Sequence, residues 1–219
     1  MNNAALRAQL EVGAQALGVD LTAAQRDQLM AYLDLLQKWN KVYNLTSVRN
    51  PQDMLTHHLL DSLAVIAPLR RHLANTQAPA ASLLDVGSGG GLPGVVIAIA
   101  CPQLAVSCVD TVAKKATFVQ QVALSLGLPN LRGVHARVEN MSETFDVVTS
   151  RAFATLADFV SLSQNRLAEG GVWMAMKART VEQERADLPA GVGVFHVEPL
   201  TVPGLNEERN LVWMRKRAG

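Results

Sequence analysis

Five glycines stand within eight residues in the run Leu84-Asp85-Val86-Gly87-Ser88-Gly89-Gly90-Gly91-Leu92-Pro93-Gly94. Glycine lets a backbone turn sharply and leaves room for a ligand beside it. The apolar segment before the cluster reads as a strand, and helical sequence resumes around Pro93. In doubly wound sheets, the crevice at such a strand-to-helix turn is where cofactors bind. Asp110, at the end of the next apparent strand, can accept hydrogen bonds from a ribose diol. A glycine turn followed one strand later by an acid outlines a site for an adenosine nucleoside. A purely structural turn would not require so many glycines flanked by acids.

Two cofactor classes fit that outline. Gly89 to Gly94 matches the dinucleotide fingerprint GxGxxG, with Asp110 at about the expected distance. Three features weigh against a dinucleotide and an NAD-dependent oxidoreductase. Asp85 points to an Asp-x-Gly-x-Gly turn that begins at Gly87, before the fingerprint's first glycine. The first 75 residues are spent on helices, which leaves little chain for a substrate domain. No hydride-transfer His–acid or Tyr–Lys arrangement follows. S-adenosylmethionine has no pyrophosphate, and a methyltransferase is the favoured reading. A Walker phosphate loop is excluded because no Gly-Lys-Ser or Gly-Lys-Thr follows.

The elements that must hold this turn can be traced along the chain. Leu6 to Leu17 reads as a helix ended near Gly18. Thr22 caps a second helix, with Gln25 at the capping-box position. Leu29, Leu33, Leu36 and Trp39 follow as its buried stripe. Asn50, Pro51 and Asp53 start a further helix carrying Leu55, Leu59, Leu63 and Ile66, disturbed at Pro68. Residues 1–75 thus form a helical segment, Asn75 to Pro79 a connector, and 76–219 the cofactor-binding domain.

Seven strands are expected: Ser82–Val86, Leu104–Val109, Leu131–His135, Phe145–Thr149, Val172–Lys177, Val194–Val197 and Leu211–Met214. Helices lie at Pro93 to Cys101, Val112 to Leu126 and Thr155 to Leu167, and Gly170-Gly171 reads as a turn. Alternating strands and helices argue for an α/β fold with a mostly parallel sheet covered on both faces. The last two strands lack an intervening helix, so an antiparallel edge is expected.

Composition narrows the partners. The chain has 219 residues, 49% of them hydrophobic, with 20 Lys plus Arg against 19 Asp plus Glu and a formal charge of +1. A polyanionic substrate would have to be met by a local basic face rather than by bulk charge. Cys101 and Cys108 read as small buried fillers, and no metal site is evident. The start does not look like a secretion signal, no apolar run is long enough for a membrane span, and the cytoplasm is the expected location.

Further stretches resemble one known family. They are Trp39-Asn40-Lys41-Val42-Tyr43-Asn44-Leu45-Thr46, His57-His58-Leu59-Leu60-Asp61-Ser62-Leu63, the Asp85 to Gly89 and Leu92 to Gly94 segments, and Asp110. Lys114-Lys115, Arg137-Val138-Glu139 and Ser150-Arg151-Ala152-Phe153 complete the set. In order and at natural spacing, they resemble the RsmG (GidB) family of bacterial 16S ribosomal RNA guanine-N7 methyltransferases. The resemblance implies a class I S-adenosylmethionine-dependent fold. It also implies transfer of a methyl group to guanine 527 (Escherichia coli rRNA numbering) in the decoding-region loop of 16S rRNA, with S-adenosylhomocysteine as co-product. Family cofactor contacts fall on Gly87, Leu92, Val138, Glu139 and Arg151; the ribose and turn arguments add Asp110, Asp85 and Gly89. Arg137, Arg151 and Lys177 stand where the family places basic residues close to the reaction. Lys114, Lys115, Arg137, Arg151, Lys177 and Arg179 would touch rRNA. Ala178 follows Lys177 where relatives often have Gly.

The chemistry so implied is modest in its demands. Guanine N7 has an in-plane lone pair and no proton, so it can attack a sulfonium methyl without a general base. Arg151 or Lys177 is expected to hold guanine O6 or a phosphate, because a donor aimed at N7 would block attack. No Asn/Asp-Pro-Pro-aromatic sequence follows the fourth strand, and neither cysteine is placed as a cytosine-C5 nucleophile. Trp39 and Tyr43 are in register with the buried stripe, which suggests packing over RNA stacking. His57 and Asp61, four apart, suggest an Asp–His or capping hydrogen bond that docks the helices. The substrate would be 16S rRNA within the small subunit or an assembly intermediate, met by a monomer. The alternatives are a methyltransferase for another nucleic acid or a small molecule, an NAD-dependent oxidoreductase, or a non-catalytic ribosome-binding protein.

Overall fold

A computed structural model of the chain describes residues 3–76, 81–151, 153, 155–178 and 181–217. Helix α1 spans Asn3–Ala16 and α2 spans Ala23–Tyr43. Thr22 caps α2: its hydroxyl accepts from the Gln25 N–H, and the Gln25 side chain accepts in return from the Thr22 N–H. The same Gln25 side chain donates to the Ile99 carbonyl at 2.9 Å, so the cap also docks the helix. Leu29, Leu33 and Leu36 are fully buried as the stripe requires, each contributing about 1.5–3 kcal/mol relative to exposure. Trp39 packs with its ring centroid 5.4 Å from that of Phe118, so its aromatic face serves packing.

Asn50 caps the next helical run, which begins as α3, Pro51–Met54. That run then widens into a π-helical turn, Leu55–Leu60, before α4, Asp61–Leu63, and α5, Ile66–Asn75. The wide turn is marked by the Asp61 N–H, which reaches the Thr56 carbonyl five residues back. Pro68 does not break α5. It lies in the first turn, where its missing N–H is not needed. The end of the expected connector, residues 77–79, lies outside the described residues.

The strands are β1 (Ser82–Val86), β2 (Ala105–Asp110), β3 (Leu131–His135), β4 (Phe145–Ser150), β5 (Leu167–Lys177), β6 (Val192–Pro199) and β7 (Asn210–Lys216). They form one sheet in the order β3-β2-β1-β4-β5-β7-β6. The first five are parallel, and β7 runs antiparallel to both β5 and β6. The crossover helices are α6 (Gly94–Ala100), α7 (Ala113–Leu126) and α8 (Leu156–Ser163), and a short α9 (Glu182–Ala186) follows β5.

Side-chain alternation sorts the core into two faces. Leu83, Val147 and Met174 pack beneath the N-terminal helices with α6 and α7. Leu84, Val148 and Trp173 pack against Leu156 and Phe159 of α8.

One expectation is corrected here. Gly170-Gly171 is not a turn before the strand but lies inside β5. The pairing with β4 jumps there from Phe145–Leu167 to Val147–Val172, leaving extra residues on β5 as a bulge. Gly170 takes φ +73°, and a Cβ on Gly171 would stand about 3.0–3.1 Å from three backbone carbonyl oxygens. The helix before it is also shorter, ending at Ser163 and passing through a tight turn of Gln164–Arg166.

Candidate cofactor and active site

The glycine loop leaves the carboxyl end of β1 and returns into α6. Gly87, Gly89 and Gly91 have φ of +68°, +57° and +87°, which side-chain-bearing residues adopt only at a cost. The loop is tied to β2, because the Gly87 and Ser88 N–H groups both donate to the Val109 carbonyl, at 2.9 and 3.2 Å. From the other side the Tyr32 hydroxyl of α2 donates to the Gly90 carbonyl at 2.6 Å. A Cβ on Gly90 would lie 2.9 Å from Leu36 Cδ1, so the helix rests directly on the loop.

Asp110 ends β2 with its carboxylate beside this loop. One oxygen accepts from the Gly89 N–H at 3.0 Å and the other from the Val112 N–H at 2.9 Å. Lys115 Nζ stands 3.9 Å away. Two carboxylate oxygens offer about four acceptor positions, so these bonds leave capacity for a ribose hydroxyl.

Asp85 does something different from lining the cleft. It is fully buried beneath the loop, and its Oδ2 accepts from the Gly94 N–H at 2.8 Å, at the start of α6. In dinucleotide folds a pyrophosphate sits at that helix start. Here the first helical N–H is already taken by the buried Asp85 side chain. The Gly94 N–H is therefore not an open donor for a diphosphate, which weighs against the dinucleotide mode of binding.

Above the loop lies a cleft of about 410 Å³, within the range of small-molecule sites. Gly87, Asp110, Lys115, Arg137, Val138 and Glu139 all border it, as expected from the sequence. Thr111, Val112, Ala136 and Leu162 also border it and were not named as site residues beforehand, and so does Phe153, which was quoted only as the end of the Ser150 to Phe153 stretch. Thr111 and Ala136 immediately follow strands of the reactive edge, and Val112 and Phe153 lie two and three residues past one, a positional signal that could have found them. Leu162, on α8, carries no such signal. Phe153 and Leu162 give the cleft an apolar wall. A Cβ on Gly87 would stand 3.8 Å from the Phe153 ring, so the glycine keeps the space in front of that ring open.

The remaining sequence-derived residues fall into other places. Leu92 is buried in the core rather than among the bordering residues. Gly89 reaches the site through its bond to Asp110. Lys114 is exposed on α7, and Arg179 lies outside the described residues. Arg151, after β4, donates through Nη1 to the His57 carbonyl at 2.9 Å and to Asp61 Oδ2 at 3.1 Å. Arg209, just before β7, donates through Nε to Asp61 Oδ1 at 3.0 Å. The buried Asp61 carboxylate therefore bridges two arginines, far apart in sequence, that the sheet brings to one edge. His57 does not pair with Asp61; its Nδ1 lies 3.0 Å from the Asp53 carbonyl. Docking of the helices through Asp61 thus runs by way of arginines, and Arg209 was missed because nothing local marks it. Lys177 is 2.9 Å from Glu184 and 3.5 Å from the Phe153 carbonyl. A role for Arg151 or Lys177 at a base requires exchange of such pairs for substrate contacts.

Two buried groups near Arg151 titrate in opposite directions. Burial raises Asp85 from 3.8 to about 7, opposed by the Gly94 N–H and Arg151 and aided by Asp110. Burial lowers His58 from 6.5 to about 4, with the Arg151 charge adding to the effect. Between about pH 4 and 7 the native chain holds a proton on Asp85 that the unfolded chain has lost, so this group makes stability fall as pH rises. Between about pH 4 and 6.5 the unfolded chain protonates at His58 first, so that group makes stability rise with pH. The two slopes oppose each other in the shared window. Asp85→Asn should steepen the gain in urea midpoint from pH 4 to 6.5, whereas His58→Gln should produce a decline from pH 4 to 7. Profiles parallel to the parent chain for both variants would refute the assignment.

Among the described residues no helix is long and apolar enough to cross a membrane, and no three His, Cys, Asp or Glu side chains are placed to share a metal ion. Compared with known proteins, residues 25–212 match the family described as rRNA small subunit methyltransferase G (GidB). A protein named ribosomal RNA small subunit methyltransferase G from Acidovorax sp. (strain JS42) is 61% identical over 98% of this chain and 97% of its own length. The protein of the same name from Paracidovorax citrulli is 62% identical over 98% of this chain and 92% of its own. Among solved structures, TrmN from Thermus thermophilus aligns with TM-score 0.56 at 20% identity, covering 74% of this chain and 53% of that one. A SAM dependent methyltransferase from Aquifex aeolicus aligns with TM-score 0.53 at 13% identity, covering 83% of this chain and 97% of that one. At such identities the structural likeness speaks for the fold alone, the mostly parallel seven-stranded methyltransferase sheet with its antiparallel edge.

Proposed function

The chain belongs to the rRNA small subunit methyltransferase G family, and from that premise we propose that it methylates N7 of a guanine in the decoding-region loop of 16S rRNA. S-adenosylmethionine, when bound, supplies a methyl group on cationic sulfur. The observation that carries the reading is the cleft at the carboxyl edge, where Gly87 keeps space open beside Asp110. Asp110 would hold the ribose hydroxyls, and Val138 and Glu139 border the part of the cleft suited to a flat base. Phe153 and Leu162 exclude water from its outer wall. No side chain needs to remove a proton from N7, so the protein's contribution is alignment of the acceptor with the methyl donor.

Lys115 and Arg137 border the cleft, and Lys114 stands exposed nearby on α7. They are positioned to meet the phosphates of an RNA loop. Arg151 and Lys177 belong to the reaction edge and would trade a protein partner for guanine O6 or a phosphate on binding. We assign the helical segment 1–75 and the cofactor domain 76–219 to one monomeric, cytoplasmic enzyme. Its substrate is the small subunit or an assembly intermediate.

Calorimetry with S-adenosylhomocysteine and NAD in parallel tests the cofactor, and preferential NAD binding would reject the reading. Hydrogen bonds to a charged group contribute about 1.5–3 kcal/mol. Asp110→Ala should therefore weaken S-adenosylhomocysteine by about 10- to 100-fold. An unchanged affinity would remove Asp110 from the ribose site. Small-subunit rRNA from cells with and without the gene should differ in 7-methylguanine at the decoding-region loop. Equal levels would overturn methylation of that guanine as this chain's reaction.

A further inference from the structure

The far end of the antiparallel edge carries a feature that methyl transfer does not use. β7 begins at Asn210, paired with Lys177 at the reactive edge, and runs to Lys216 at the opposite end of the sheet. At about 3.4 Å per residue that is roughly 20 Å away. There Phe195 of β6 is 42% exposed, and the Arg215 guanidinium lies 5.1 Å over its ring. The Phe195 ring continues onto Trp213 at 6.5 Å, and His72 of α5 stacks on Trp213 at 4.9 Å. Phe195, Arg215, Lys216 and Arg217 border a groove of about 500 Å³. Arg217 covers Gly193, where a Cβ would stand 3.3 Å from its Nε.

Charge and shape agree at this place. The whole chain carries a formal charge of only +1, yet three successive exposed cations border one groove with no carboxylate among its lining residues. The nearest acid on β6, Glu198, is engaged by Arg71 at 2.6 Å and by the Trp213 indole N–H at 3.1 Å. An exposed ring flanked by arginine and lysine is the arrangement that holds single-stranded nucleic acid. Phosphates meet the cations, and once Arg215 swings from the ring to a phosphate an unpaired base can stack on that face.

We propose that the β6–β7 edge is a second contact surface for the rRNA substrate, engaging backbone phosphates through Arg215, Lys216 and Arg217 and an unpaired base through Phe195. The proposal rests on the reading of the chain as an rRNA methyltransferase. A folded RNA bound at both places would be gripped at the far end of the sheet from the reacting guanine, adding affinity without touching the chemistry.

The test compares the parent chain with the triple variant R215A/K216A/R217A and with Phe195→Ala and Phe195→Trp. Small-subunit particles are bound in the presence of S-adenosylhomocysteine across a salt series, and methyl transfer is measured separately. Each phosphate contact contributes about 0.7–0.9 to the slope of log affinity against log salt. The triple variant should therefore bind at least tenfold more weakly, with a slope smaller by about two. Phe195→Ala should lose about tenfold and Phe195→Trp should restore it, while kcat at saturating substrate and S-adenosylhomocysteine affinity stay at parent values. A folded triple variant with parent affinity and slope overturns the proposal while leaving the methyltransferase reading intact. So does a variant that self-associates yet binds RNA normally, since the charges would then only guard an open strand edge. A parent chain that binds through this edge but forms no 7-methylguanine would sink the reaction and keep the surface.

Discussion

Asp61→Ala should cost about 3 kcal/mol of folding stability, because it removes two charge-assisted hydrogen bonds at a buried position, although Arg151 keeps the His57 carbonyl and Arg209 keeps Glu207. The Asp61 side chain is only 3% exposed, and Arg151 and Arg209 are 22% and 15% exposed. Neither guanidinium can recover full hydration where it stands. The loss is read from urea denaturation of the purified variant. Because Arg151 also donates to the His57 carbonyl, release of Asp61 should loosen the seam between the helical segment and the reactive edge. Methyl transfer by the folded fraction should then fall more steeply than cofactor affinity, since Asp110 and the glycine loop lie elsewhere. Asp61→Glu, which keeps the charge, should recover part of both losses. A variant within 1 kcal/mol of the parent chain would show that water satisfies the arginines and that the bridge is incidental.

Gly94→Ala is expected to be strongly damaging for the addition of a single methyl group. An added Cβ would lie 2.3 Å from Cys108 Sγ and 2.8 Å from Asp85 Oδ2, contacts that force the start of α6 away from the sheet. Overpacking of this kind costs about 1–3 kcal/mol and sometimes more. A cost of 3 kcal/mol corresponds to about 6–12 °C in Tm for a chain this long. The displacement would also break the Gly94–Asp85 hydrogen bond and shift the glycine loop, so S-adenosylhomocysteine affinity should fall with stability. The nearest clash is with sulfur, so Cys108→Ala in the same chain should recover part of the loss. Such coupling is what a double-mutant cycle detects. Additive effects in that cycle would place the strain somewhere other than the Cys108 contact.

What the sequence disclosed and what it withheld follow a physical line. Thr22 and Gln25 announce their helix because a capping box is made by residues three apart. The turn from Gly87 to Gly91 is legible for the same reason: its left-handed backbone demands glycine in place. Asp110 was reachable because a strand end in an α/β fold has a fixed relation to the crevice. Asp85 was identified as special, but only the folded chain shows that its carboxylate serves the start of α6 from below. The partners of Asp61 lie 90 and 148 residues downstream. No local pattern distinguishes Arg209 from any other exposed-looking arginine. The Gly170-Gly171 bulge was misread as a turn because positive φ serves both structures, and only the β4 partner strand tells them apart. The family resemblance supplied the reaction, while the residues themselves supplied the expectation of a nucleoside site.

The π-helical turn at Leu55–Leu60 has a geometric consequence for the whole N-terminal segment. A wide turn of this kind amounts to one residue inserted into an α-helix, and each residue of an α-helix advances about 100° around the axis. Deleting a single residue there would let the run relax into regular α-helix and would rotate everything beyond it by about that angle. Asp61 would swing out of line with Arg151 and Arg209, and Leu63 would leave the core face. The phase of that one turn thus sets which side of the segment meets the sheet, much as a keyway fixes a shaft in its hub.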